Sequence, residues 1–176
     1  LNFDGNAVVR IPDSPELRLQ NDMAMEAWFK ADGFNGDWVR VLGKGASGPR
    51  NYGLWYNPNG TWLFQQYGDG VSVQLNKTIN IGEWYHFAAV KSGNTAKLYV
   101  NGVLVASASG GTNPAVSNDP LTIGYAGFHT YHLGQIDEVR LWDYARTDLE
   151  IAENYNKILS GQEIGLVAYY YMEDTQ

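Results

Sequence analysis

Residues 34 to 68, FNGDWVRVLGKGASGPRNYGLWYNPNGTWLFQQYG, concentrate aromatic rings and side-chain amides. Trp38, Trp55, Trp62, Tyr52, Tyr56 and Tyr67 stand among Arg50, Asn51, Asn57, Gln65 and Gln66. Rings stack on apolar CH faces while amides bond hydroxyls, so this mixture suits a sugar. Alternation separates Asn51, Gly53, Trp55 and Asn57 from Tyr52, Leu54 and Tyr56, and Trp55 thereby shares a face with amides. A second cluster, GYAGFHTYHLGQ, crowds Tyr125, Phe128, His129, Tyr131 and His132 into one loop. Loops on a rigid scaffold are where binding groups concentrate. Trp38, Arg50, Asn51, Trp55, His129, Tyr131 and His132 are therefore the candidate ligand-binding residues. Core packing is the competing assignment for each tryptophan.

The stretch GQIDEVRLWDYARTDLEI, from 134 to 151, offers different chemistry. Ile136 is out of phase with Val139 and Leu141, and the acidic pair Asp137 and Glu138 fills the slip. A β-bulge has this signature, because its extra residue leaves the ladder. Unpaired carbonyls beside carboxylates are the hard oxygen donors that calcium takes. The alternative is a pair of surface carboxylates, with Glu138 paired to Arg140 or to a lysine. His129 and His132 lack the spacing of a zinc site.

Catalytic patterns are missing. No strand places two carboxylates and a partner at alternate positions, the nearest stretches being IDEVRLWD and MEDTQ, and Glu26 in AMEAWFKAD stands with Trp28 and Lys30. No Gly-x-Ser-x-Gly elbow occurs. No catalytic residue is assigned, and a hydrolase would need a dispersed site.

These groups must be positioned by strands. Short β-like runs recur between turn residues, among them AVVRIP, MAMEAWFKA, WVRVLGKG, NYGLWYN, TWLFQQY, VSVQL, WYHFAAVK, AKLYVNG, LTIGY, DEVRLW and GLVAYYYM. Asn59-Gly60 and Asn101-Gly102 mark hairpins, which makes the pairing mostly antiparallel. In MAMEAWFKA, Met23, Met25, Ala27 and Phe29 form a core face, and Glu26, Trp28 and Lys30 lie on the outer one. One segment, ARTDLEIAENYNKILSG, reads as helix: Thr147 and Glu150 form a capping box, Ile151, Tyr155 and Ile158 follow at helical spacing, and Gly161 stops it.

With 176 residues the chain fits one domain, 1–176, and its terminal GLVAYYYMEDTQ reads as a strand leading toward a linker in a larger multidomain protein. The absence of cysteine excludes disulfides and thiolate chemistry. A net charge of −7 argues against nucleic acid as a partner. No apolar run is long enough for membrane insertion, and no basic-then-apolar leader opens the sequence.

Taken in order, LNFDGNAVVRIP, MAMEAWFKA, GEWYHFAAVKSGNTAKLYVNGVLV, LTIGY and GQIDEVRLWDYARTDLEI followed by GLVAYYYME resemble the laminin G-like jelly rolls of the concanavalin A-like lectin and glucanase superfamily. The resemblance spans nearly the whole chain. It implies an all-β fold, a two-sheet antiparallel jelly-roll sandwich with one short helix near the C-terminus. It also implies an extracellular or cell-surface setting and, often, a structural calcium ion. By the same similarity, Asp137 of the last core strand and Asp4 of the N-terminal strand would be calcium ligands, with Glu138 as a further one, and Trp84 would be a core residue at a strand entry. The acidic cluster of the superfamily's glucanases is absent, and GQIDEV has Asp where related lyases need a catalytic His. The expected function is a non-catalytic carbohydrate-binding module, stabilised by calcium, whose partner is a glycan or polysaccharide. The alternatives are a laminin G-type adhesion domain that binds a surface protein, and a hydrolase or lyase with degenerate motifs.

Overall fold

The computed structural model describes residues 1–34, 36–45 and 50–171; the MEDTQ terminus lies outside the described residues. In chain order the strands are β1 (Asn2–Asp4), β2 (Val9–Ile11), β3 (Met23–Ala31), β4 (Val39–Lys44), β5 (Tyr52–Tyr56), β6 (Thr61–Gln65), β7 (Gly68–Asp69), β8 (Ser72–Asn76), β9 (Trp84–Ser92), β10 (Thr95–Val100), β11 (Val103–Ser109), β12 (Asn113–Pro114), β13 (Leu121–Ile123), β14 (Leu133–Trp142) and β15 (Leu166–Tyr170). One α-helix, α1 (Asp148–Asn154), occurs among the described residues.

Two antiparallel sheets form the sandwich. The larger is ordered β1-β14-β3-β9-β10-β11, with β15 also on β14, and the smaller β2-β13-β4-β5-β6-β8. Asn101 and Gly102, at φ 51° and 78°, turn β10 into β11. Both central residues of such a tight hairpin must be left-handed to match the strand twist. The other Asn-Gly site makes a longer loop, in which Gly60 alone is left-handed and its N–H donates to the Asn57 carbonyl.

Alternate residues of both sheets meet between the layers. Met23, Met25, Ala27 and Phe29 of β3 face Tyr52, Leu54 and Tyr56 of β5 and Trp62 and Phe64 of β6 within one buried cluster. Phe29 stacks on Tyr56 at 5.1 Å between centroids and meets Trp62 edge-on at 5.3 Å. Trp84 departs from expectation: it is 41% exposed. Its register partner is Lys30, whose ammonium stands 6.0 Å from the indole centroid. Phe29 and Lys30 alternate across β3, so the residue opposite Lys30 must point away from the core, and Tyr85 and Phe87 fill the inward places instead.

The phase slip in β14 is a bulge. Asp137 pairs with Trp28 and Arg140 with Glu26, so Glu138 and Val139 together oppose Ala27. On the other edge of β14, β1 lies against Leu133 to Gln135 and β15 against Val139 to Trp142. The bulge therefore falls where β14 exchanges one edge partner for another. Glu138 takes the left-handed conformation, φ 50°, that a side chain accepts only when its surroundings compensate.

Thr147 and Glu150 form the expected capping box. The helix is shorter than the spacing predicts: it stops at Asn154, Ile158 is 70% exposed, and Gly161 lies in the following loop. The reason is tertiary. At the end of α1 and just past it, the carbonyls of Asn154 and Lys157 accept from Arg140, and that of Tyr155 accepts from the Trp28 indole at 2.9 Å. A continued helix would keep those carbonyls for itself.

That covering segment also explains Glu26, which lies on the outer face yet is fully buried. Its carboxylate accepts from Arg146 Nη1 at 2.6 Å, stands 3.1 Å from His86 Nε2, and lies 3.6 Å from Arg140 Nη1. Burial alone would raise its pKa, but the hydrogen bond with His86 and the guanidinium charges of Arg146 and Arg140 outweigh that and hold it down at about 2.

Candidate functional site

The outer face of the smaller sheet carries the aromatic and amide groups. On β5 the core takes Tyr52, Leu54 and Tyr56, leaving Gly53 and Trp55 outward. Across the hairpin Leu63 pairs with Trp55 and Gln65 with Gly53, so both share that outer face, and Gln74 of β8 lies opposite Leu63. From β4, Arg40 is the register partner of Trp55 on the other side.

Two glycines let the large side chains lie flat. A Cβ on Gly53 would sit 2.6 Å from Trp55 Nε1, and one on Gly43 would sit 3.0 Å from Arg40 Nε. The Arg40 guanidinium carbon stands 4.5 Å from the Trp55 ring centroid and that of Arg50 5.4 Å. Phe128 and His129 of the β13–β14 loop close over the same indole, at 6.0 and 6.1 Å between centroids. Trp55 is left only 2% exposed. It is a floor rather than a platform.

Above that floor is a shallow cleft of about 280 Å³. Trp38, Arg50, Gln65, Gln74 and His129 line it together with Leu63. His129 is oriented by Asp37, whose Oδ2 lies 2.8 Å from its Nδ1. Arg50 is oriented by Tyr67, whose hydroxyl accepts from Nη2 at 2.6 Å and whose ring lies 4.3 Å below the guanidinium. Burial and, after it, the neighbouring charge of Arg50 push the Arg40 pKa down to about 9.

Of the predicted ligand-binding residues, Trp38, Arg50, Trp55 and His129 converge on this cleft. Asn51 and His132 do not. Asn51 is fully buried, its amide donating to the carbonyls of Leu19 at 2.8 Å and Ala115 at 3.0 Å, so it ties two loops to β5. His132 is equally buried, between the Tyr56 hydroxyl at 3.0 Å and the Gln135 carbonyl at 3.2 Å. The strand alternation that begins at Leu133 already governs His132 and turns it inward. Tyr131 stacks on Tyr125, with centroids 3.7 Å apart, away from the cleft lining. Arg40, Leu63 and Gln74 were missed, and Gln65 and Phe128, though present in the two clusters, were not selected. Alternation carried across the NPNG hairpin from Trp55 would have found Leu63 and Gln65; nothing local marks Arg40.

The acidic residues are placed differently. Asp4 is in register with Leu133, four residues from Asp137, which separates them by roughly 13 Å along the strand. Glu138 accepts from Arg140 Nη2 at 2.6 Å and from the Tyr169 hydroxyl at 2.8 Å. Asp137 accepts the Glu138 N–H at 2.8 Å, and Asp4 accepts the Asn6 N–H at 2.9 Å. The three carboxylates thus do not fit a single calcium shell, and no group of three His, Cys, Asp or Glu side chains suited to a metal occurs among the described residues.

Two larger hollows, of about 400 and 440 Å³, flank α1. Arg146 lies in the wall of both, but its guanidinium is committed to Glu26 and to the Glu150 carbonyl. No helix among the described residues is long and apolar enough to cross a membrane.

Known proteins share the architecture. A candidate carbohydrate-binding protein from Bacteroides ovatus superposes with a TM-score of 0.78 at 23% identity, over 97% of this chain and 50% of its own, so the present chain spans half that protein's length. Domain 4 of AbnA, an extracellular GH43 arabinanase from Geobacillus stearothermophilus solved with arabinotriose, gives 0.60 at 23% identity, over 86% of this chain and 74% of its own. Domains LG4-5 of the mouse laminin alpha1 chain give 0.62 at 20%, over 80% and 40%. A search of curated protein sequences found no match. The family model for the concanavalin A-like lectin/glucanases superfamily matches residues 3–152. With the jelly-roll sandwich, its bulged β14 and its capped helix in place over that span, the chain belongs to the concanavalin A-like lectin/glucanase superfamily, in its laminin G branch.

Proposed function

We propose that the chain is a non-catalytic carbohydrate-binding module of an extracellular or cell-surface protein, and that it takes glycan in the cleft over Trp55. The observation that carries this reading is the cleft itself: a partly exposed indole, Trp38, the His129 ring and two primary amides, Gln65 and Gln74, line one hollow over a floor closed by packed aromatics. Trp38 offers an apolar face for CH groups, and the amides and Arg50 offer directional partners for hydroxyls. No Asp or Glu lines the cleft among the described residues. Glycoside hydrolysis needs two carboxylates flanking one bond, which supports the non-catalytic reading. The solved structures named above add support, since one is a candidate carbohydrate-binding protein and another holds arabinotriose.

A glycan array tests the proposal. Wild-type protein should bind a defined subset of glycans, and Trp38→Ala and His129→Ala should each weaken that binding while melting normally; silence across every glycan would sink it. A second reading, a protein-binding domain, rests on Ile158 and Ile164, 70% and 95% exposed beside the 440 Å³ hollow. Retention of a protein partner by the wild type, lost in Ile164→Asp with glycan binding unaffected, would favour it.

A further inference from the structure

Arg40 and Arg50 bring two positive charges to one face of the molecule, in a chain whose net charge is −7. Neither takes part in an ion pair among the described residues: Lys44 and Arg18 share Asp13, Arg146 and Arg140 share Glu26, and Lys97 has Asp148. Arg40 is fully buried, and its hydrogen bonds go from Nη1 to the Gly45 carbonyl at 2.7 Å and the Thr122 hydroxyl at 3.2 Å. Its Nε and Nη2, and the Nε of Arg50, have no hydrogen-bond partner among the described residues. Asp37, at the mouth, is engaged by His129, and Asp119 acts on Arg40 while its carboxylate accepts from the Ser117 hydroxyl.

Like charges brought together repel, and the buried one, Arg40, is costly to desolvate unless an opposite charge is supplied. The aromatic cage of Trp55, Tyr67 and Phe128 satisfies the guanidinium faces of this pair but not its charge. Of the two, Arg50 lines the cleft directly, beside Gln65 and Gln74. Resting on the glycan-binding reading above, we infer that the cleft selects an acidic glycan, whose anionic group sits against Arg50 while its sugar face lies on Trp38. A planar carboxylate, as in a uronic acid, matches the guanidinium fork best. A sulfate ester would satisfy the same charge. General attraction to polyanions cannot substitute for the site, because the rest of the surface repels them.

The test is calorimetric binding of size-matched oligosaccharides: oligogalacturonate and oligoalginate for carboxylate, a sulfated neutral-backbone oligosaccharide for sulfate, and arabinan and xylan oligosaccharides as uncharged references. Acidic ligands should bind at least about tenfold more tightly than neutral ones, with affinity falling as salt rises. Arg50→Gln should lose about tenfold for the acidic ligand, Arg50→Lys less, with melting temperatures close to wild type. Preference for carboxylate over sulfate identifies a uronate; the reverse order keeps the anionic site and overturns the uronate assignment. Equal or tighter binding of neutral glycans overturns the inference and leaves the lectin reading standing. Failure to bind any glycan overturns both.

Discussion

His132 supplies the sharpest quantitative test of how the β13–β14 loop is built. Its imidazole lies between the Tyr56 hydroxyl and the Gln135 carbonyl, against the rings of Phe3 and Phe29. A carbonyl can only accept, so Nε2 carries the proton and Nδ1 accepts from Tyr56, an arrangement that needs the neutral ring. Burial outweighs the raising effect of nearby backbone acceptors and pushes the pKa from 6.5 down to about 4. The unfolded chain binds a proton near 6.5 and the folded chain does not until about 4, so this residue's contribution is intact above pH 7 and is lost as pH falls between those values. Linkage over that window amounts to about 3 kcal/mol in full and about 2 kcal/mol by pH 5. Urea denaturation at pH 8 and pH 5, on wild type and on His132→Gln, isolates the term. The wild type should lose about 2 kcal/mol more than the variant on acidification. A direct titration by NMR should find the ring neutral at pH 5. An imidazole titrating near its ordinary value, or equal acid sensitivity in both proteins, would refute the buried neutral histidine and restore His132 as a surface group.

Two further outcomes follow from the larger sheet. Glu26→Gln removes a carboxylate with which Arg146 and Arg140 form ion pairs among the described residues, and it should cost about 3 to 5 kcal/mol in a urea titration, as for a buried pair that loses one member; a loss under about 1 kcal/mol would mean that the network is not what holds α1 down. Melting in calcium and in chelator tests the ion expected at Asp137: a calcium-dependent rise abolished by Asp137→Ala would establish it, and coincident melting curves would refute it.

Much of the fold was legible because its signals are local. Period-two alternation identified the inward face of β3, the Asn-Gly pair at 101 and 102 identified its hairpin, and Thr147 with Glu150 identified the helix start. The slip before Val139 announced a bulge, since side-chain phase along a strand is read directly from residue order. The site was legible only in outline. Composition pointed to the segment holding Trp38, Arg50 and Trp55, but an inward Asn51 and an outward Gln65 look alike in sequence.

Sequence by itself determined which side of each strand is apolar and where strands turn. Those properties depend on neighbours a few residues apart. Tertiary structure alone decided that Glu26 is a buried anchor rather than a surface acid, because Arg146 lies 120 residues away in the chain. It also decided that Glu138 at the bulge closes onto Arg140 and Tyr169, and that Arg40 and Arg50 meet over Trp55 outside any ion pair among the described residues. Burial and Coulomb energy depend on distance in space, which pairing between remote strands sets.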